Sequence, residues 1–158
     1  MTEPPPPGTS LVLDTDVLTH WRTRRPNVLL AINDYEAEFK VPPALTSFTV
    51  FEVLCGFEKE AARLRVIPDS TRRAREDLER LMEGCSVLPF DQGAATIAAY
   101  VFERIGRRKS NEKWADVLIA STAIAHRYGL VSQNKKDFEF IANYLPPAQK
   151  LYLTIWQS

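Results

Sequence analysis

Short apolar runs alternate with stretches of helical periodicity along this chain. Residues 11–13 (Leu-Val-Leu) form a run too short for a helix and read as a buried strand. Thr15 or Asp16 then opens a helix to about Arg24, with Pro26 ending it. A second helix is expected over 28–38, and Pro42-Pro43 forces an extended link. Thr46 or Ser47 next caps a helix with Phe48, Phe51, Cys55 and Ala62 on its inner face. Asp69 is expected to cap a helix that buries Ala74, Leu78, Leu81 and Met82 and leaves its arginines in water. Residues 86–89 read as a further short strand. Asp91 caps an alanine-rich helix with Ala94, Ile97, Ala98, Val101 and Ile105 at helical spacing, closed by Gly106. Residues 114–128 are apolar nearly all round, which predicts a central helix ended by Gly129, and 130–132 and 151–154 supply two more strands.

Buried strands alternating with helices predict an α/β fold, with a short-stranded parallel sheet flanked by helices on both faces. Four consecutive prolines, Pro4 to Pro7, remove backbone donors, so 1–9 reads as a disordered, extended tail and 10–158 as one domain. A chain of 158 residues has room for a proper core. Twenty Lys and Arg balance twenty Asp and Glu, which excludes a binder working through a global basic field. Cys55 and Cys85 form no CxxC or Cys/His pattern, and both read as buried free thiols in a reducing compartment. No membrane-spanning run or signal-peptide order is found, so a cytoplasmic location is expected.

The chemistry lies in acids with apolar neighbours. Glu52 sits within Phe48-Thr-Val-Phe-Glu-Val-Leu-Cys-Gly-Phe57, Asp116 within Trp114-Ala-Asp-Val-Leu-Ile-Ala120, and Asp14 directly after the first strand. In parallel sheets the ligand crevice lies beyond the carboxyl ends of the strands, where Asp14, and Asn134 and Asp137 after 130–132, are expected. Two carboxylates about 4 Å apart repel by about 4 kcal/mol at an effective dielectric near 20, so several can share a pocket only with a cation or shared protons. Oxygen ligands without a His or Cys cluster favour Mg²⁺ or Mn²⁺ over zinc. Each acid alone also has a structural reading: Asp14 as a helix cap, Asp116 as a first-turn acid on its helix, Glu52 as the partner of a buried arginine.

Taken together, Leu11-Val-Leu-Asp14-Thr-Asp-Val-Leu, Thr49-Val-Phe-Glu52, Trp114-Ala-Asp116-Val-Leu-Ile-Ala and Leu130-Val-Ser-Gln-Asn134-Lys-Lys-Asp137-Phe resemble the PIN-domain family, specifically VapC-type toxins of toxin-antitoxin pairs. The resemblance implies an endoribonuclease that depends on Mg²⁺ (or Mn²⁺) and is neutralised by a small cognate VapB-like antitoxin. A homodimer is the default assembly. It assigns Asp14, Glu52 and Asp116 as metal-binding and catalytic, and Asp137 as a fourth catalytic carboxylate acting through water. Asn134, Thr15 and Thr49 are given supporting, orienting roles. RNA phosphates are expected on Arg107, Arg108, Lys109 and Lys135, and also on Arg22, Arg24, Arg25 and Lys136. The competing reading of Arg107 to Lys109 is a solvated helix C-terminus, where the dipole favours cations. Two other classes stay open: Asp14-Thr-Asp16 is similar to the paired aspartates of haloacid-dehalogenase-like phosphatases, a reading that leaves Glu52 unexplained, and Asn134 leaves room for a non-catalytic PIN-like scaffold.

Overall fold

The computed structural model describes residues 2–158. Six strands, β1 (Thr2–Glu3), β2 (Leu11–Leu13), β3 (Ala44–Thr46), β4 (Val87–Leu88), β5 (Gly129–Ser132) and β6 (Leu151–Ile155), form one sheet in the order β1-β6-β5-β2-β3-β4. Every pairing is parallel. Among the described residues seven helices connect them: α1 (Thr15–Arg22), α2 (Pro26–Phe39), α3 (Ser47–Arg63), α4 (Asp69–Glu83), α5 (Gln92–Ile105), α6 (Arg107–Ala125) and α7 (Lys135–Ala142).

Alternation along the strands divides the core into two layers. Val12, Ala44 and Leu130 pack with Val101, Val117, Ala120 and Phe138 of α5, α6 and α7. Their neighbours Leu13, Leu45 and Val131 pack on the opposite face with Val17, Leu18, Val28, Ile32 and Leu78 of α1, α2 and α4. The sheet is thus buried on both sides, as the unbroken apolar runs require. Asp91 accepts from the Ala94 amide at 3.0 Å, and α5 buries the five expected residues.

Several elements depart from the sequence reading. Of the segment 1–9, expected as a disordered tail, residue 1 lies outside the described residues and 2–9 are ordered: Thr2 and Glu3 pair with Leu151 and Tyr152, Glu3 meets Lys150 at 2.9 Å, and Thr9 donates to the Pro6 carbonyl at 3.1 Å to close a turn. The prolines bar a central strand but permit a two-residue edge strand before them. Pro26 does not merely stop α1; it occupies the first turn of α2, where a missing amide costs nothing. The inner face of α3 carries Thr49, Val50, Val53 and Phe57, whereas Phe51 is 51% exposed and Cys55 and Ala62 are exposed. Both thiols are free, but Cys55 is exposed and only Cys85 is partly sheltered.

The central helix α6 starts at Arg107, seven residues before the apolar run. Its polar first turns are laced by Arg108 and Lys109 to Glu112 at 3.1 and 3.2 Å. The extended link after Pro43 is the three-residue strand β3, and α7 forms where the sequence reading places no helix. Gly129 does not end α6. It opens β5, where a Cβ would stand 2.9 Å from Leu11 Cδ2 and 3.1 Å from Pro5 Cβ, so the glycine serves close approach between segments.

Candidate active site

The carboxyl ends of β2, β3 and β5 deliver the polar side chains to one sheet edge. Asp14 follows β2 and caps α1, accepting from the Val17 amide at 3.0 Å. Leu13 is paired with Val131, so Ser132 lies beside Asp14, and its hydroxyl donates to Asp14 Oδ2. The same hydroxyl accepts the Asn134 amide at 2.9 Å. Glu52 reaches the edge from α3, whose start is set by the Thr46 cap, and Thr15 Oγ1 donates to Glu52 Oε1 at 2.6 Å.

Asp14, Thr15, Asp16, Glu52, Asp116, Ile119 and Asn134 line one cleft of about 220 Å³. Three of the expected acids therefore share a hollow, together with Thr15 and Asn134. Asp16, which the sequence offers as a helix start and as the second aspartate of the phosphatase reading, joins them: with Asp14 at the cap, Asp16 falls in the first turn of α1 and lines the same cleft. Asp116 arrives from the third turn of α6 rather than its first, so the dipole reading of this acid does not apply.

Burial decides the electrostatics. Asp14 is 5% exposed, and loss of hydration pushes its carboxyl up to about 7 against the pull of the Ser132 and Val17 bonds, with the charges of Asp16 and Asp116 adding to the rise. Asp116 is pushed up to about 6, first by burial and then by Asp137, while Lys113 opposes this and Glu52 and Asp16 add to it. Among the described residues no hydrogen bond reaches the Asp116 carboxylate, which leaves its lone pairs open to the cleft. As they stand, no three Asp, Glu, His or Cys side chains among the described residues are close enough to hold a metal ion. The donor set is nonetheless that of a hard divalent cation: carboxylate oxygens, an amide oxygen and hydroxyls, with proton affinities raised by crowding and burial.

Other expected residues lie elsewhere. Asp137 does not line the cleft; it accepts from Asn134 Nδ2 at 2.6 Å and is paired with Lys113, which holds its carboxyl below the usual range. Asn134 caps α7 through this same turn. The Thr49 hydroxyl is buried and accepts from Thr46 Oγ1 at 3.0 Å, within the cap of α3, and Thr49 does not line the cleft. Lys135 begins α7 and stands 3.6 Å from Glu139. Arg107, Arg108 and Lys109 form the first turn of α6, at the end where the dipole disfavours cations, so the C-terminal reading of this run is overturned. Trp114 is 45% exposed and edge-on to Phe48 at 5.0 Å. Sequence reasoning misses Ser132 and Lys113. Ser132 is legible as a hydroxyl at the end of a strand adjacent to Asp14, and Lys113 as the residue three before Asp116 on one helical face.

The PIN domain family model matches residues 11–143. No curated protein sequence matches the chain. Among solved structures, the chain is similar to VapBC2 from Rickettsia felis bound to a promoter DNA fragment, with 20% identity, 93% of this chain and 98% of that chain covered, and a TM-score of 0.66. DNA-bound VapBC from Salmonella typhimurium gives 19%, 94% and 99%, with a TM-score of 0.67. VapBC-1 from nontypeable Haemophilus influenzae gives 19%, 94% and 98%, with a TM-score of 0.64. At these identities the likeness is one of fold.

Proposed function

Because this chain belongs to the PIN domain family, we propose that it is the toxin of a toxin-antitoxin pair, an endoribonuclease that uses Mg²⁺ or Mn²⁺ and is held inactive by a small VapB-like antitoxin. The observation that carries the reading is the meeting of Asp14, Glu52 and Asp116, from three separate elements, in one cleft at the carboxyl edge of the sheet. Three buried or half-buried acids with no cation among them are a cost to folding, and a site that binds a cation recovers it. A phosphatase reading built on Asp14 and Asp16 leaves Glu52 and Asp116 without work and conflicts with the family.

Asp14, Glu52 and Asp116 would hold the ion, which when bound supplies charge for a scissile phosphate and lowers the pKa of a water. The protein's own groups set the geometry. Asp14 is held by the Val17 amide on Oδ1 and the Ser132 hydroxyl on Oδ2, which fixes the orientation of the carboxylate at the cleft. Thr15 holds one oxygen of Glu52 and leaves the other for the cleft. Asp116 carries no such bond among the described residues, so its carboxylate is free to accept a hydrogen bond from a water at the cleft. In-line attack by water on the scissile phosphorus, with the P–O3′ bond breaking and the 3′-oxygen leaving as the hydroxyl, would give 5′-phosphate and 3′-hydroxyl ends.

Substrate phosphates would be met by Arg107, Arg108 and Lys109, three cations kept at a helix N-terminus despite the dipole, with Lys135 next in sequence to the cleft residue Asn134. Partner and assembly follow the same reading: an antitoxin supplies a positive group to the acidic cleft, and the toxin pairs with a second copy. Three of the similar solved structures are of VapBC proteins, from three bacteria. The test is cleavage of a labelled single-stranded RNA with Mg²⁺ by the wild type and by Asp116→Asn. The expected result is loss of cleavage in the variant and in excess chelator. Equal cleavage by both proteins, or cleavage in chelator, would contradict the proposal.

A further inference from the structure

Among the described residues Lys113 is the cation whose charge bears most on Asp116, and it is engaged by a different carboxylate. Its side chain is only 12% exposed, lies 5.6 Å from the Phe140 ring centroid, and forms an ion pair with Asp137 Oδ1. The other oxygen, Oδ2, accepts from Asn134 Nδ2 at 2.6 Å. Both oxygens of Asp137 are therefore engaged, by groups on two different elements, and the side chain is absent from the cleft lining although Asp116 senses its charge. Lys113 and Asp116 stand three apart on α6, on neighbouring positions of one face, so the lysine borders the acid that the cleft exposes. A largely buried ammonium against an aromatic ring has little freedom to leave, and its partner has little freedom to turn.

Resting on the nuclease reading above, we infer that Lys113 is a positioning residue that withdraws Asp137 from the metal-facing carboxylates, so that the cleft takes a single divalent cation on Asp14, Glu52 and Asp116. Asp16 already lines the cleft beside these three acids; one more free carboxylate at the Asp116 side would open a second cation position, and the lysine fills that position with its own charge. The pair thus sets the number of ions the protein carries. It also keeps the cleft less negative than its acids alone would make it.

The experiment is Mn²⁺ titration of the purified full chain, counted by calorimetry and by the electron paramagnetic resonance signal of the free ion. Wild type is expected to take one Mn²⁺ per chain, Lys113→Met two, Lys113→Arg one, and the double variant Lys113→Met with Asp137→Asn one again. Asp137→Asn alone is expected to keep one ion with affinity within threefold of wild type. That variant carries the test if Lys113→Met does not fold. Two ions in wild type, one ion in a folded Lys113→Met, or a tenfold weaker site in Asp137→Asn would overturn the inference while leaving the nuclease reading intact. Wild type that takes no Mn²⁺ would overturn both.

Discussion

Replacing Asp14 by asparagine is expected to stabilise the protein, although the residue stands at the centre of the site. The isosteric amide keeps an oxygen for the Val17 amide, and its NH₂ can donate to the Ser132 hydroxyl, which turns to accept. What it removes is a buried charge. Burial raises the Asp14 carboxyl from 3.8 to about 7, and at about 1.4 kcal/mol per tenfold change this amounts to about 4 kcal/mol of penalty once the group is ionised. The native state holds this proton better than the unfolded chain does. Its contribution therefore favours folding fully below about pH 4 and is lost as pH rises through about 7. The Asp14→Asn variant has no proton to lose there.

The expected gain is about 4 kcal/mol at pH 8, falling by about 3 kcal/mol at pH 5. At about 0.3 kcal/mol per degree for a chain of this length, the pH 8 difference is about 10 °C in Tm. Thermal unfolding followed by circular dichroism at the two pH values, in chelator, measures it. Saturating Mg²⁺ should raise the wild-type Tm and leave the variant nearly unmoved. A variant less stable than wild type at pH 8, or a difference that does not change with pH, would refute the electrostatic argument.

Further expectations are direct. Glu52→Gln should lower RNA cleavage by about 10²-fold or more with the fold retained, measured as single-turnover rate beside a melting curve. Thr15→Val removes the 2.6 Å bond to Glu52 and should lower cleavage about tenfold while changing stability by about 1 kcal/mol or less. Substituting alanine for Arg107, Arg108 and Lys109 together should reduce the salt dependence of single-stranded RNA binding, by about 0.7 in log–log slope for each phosphate that is no longer neutralised. Gly129→Ala should destabilise by about 1–3 kcal/mol, read by urea unfolding, because its Cβ would meet Leu11 and Pro5.

The parts of the molecule legible in sequence are those where one local rule decides. The apolar triplet 11–13 has no alternative to a strand, and Asp91 with its alanine-rich helix satisfies cap, periodicity and terminating glycine at once. The acids are legible because a carboxylate among apolar neighbours conflicts with its surroundings, and Glu52 and Asp116 lie where that conflict places them. Tertiary packing decides the remainder. The inner face of α3 cannot be read from a stretch apolar almost all round, since packing against the sheet and the buried cluster beside it selects Val53 and Phe57 over Phe51 and Cys55. The polar start of α6 hides a helix held by ion pairs rather than by an apolar stripe. Helix α7 is short, and its cap is Asn134, a residue that reads for chemistry rather than for structure. Neither the Lys113 pair nor the Ser132 bond exists except across elements distant in sequence.

The central claim is that Asp14, Glu52 and Asp116 grip one hard cation. A crystal of the protein grown with Mn²⁺, with anomalous diffraction recorded at the manganese edge, tests it without recourse to activity. The expected result is an anomalous peak in the cleft with oxygens of all three side chains directly bound or joined to it through one water, at metal–oxygen distances of about 2.0–2.3 Å for the direct ligands. A cleft with no peak at saturating Mn²⁺, or a peak bound elsewhere on the protein, would contradict it.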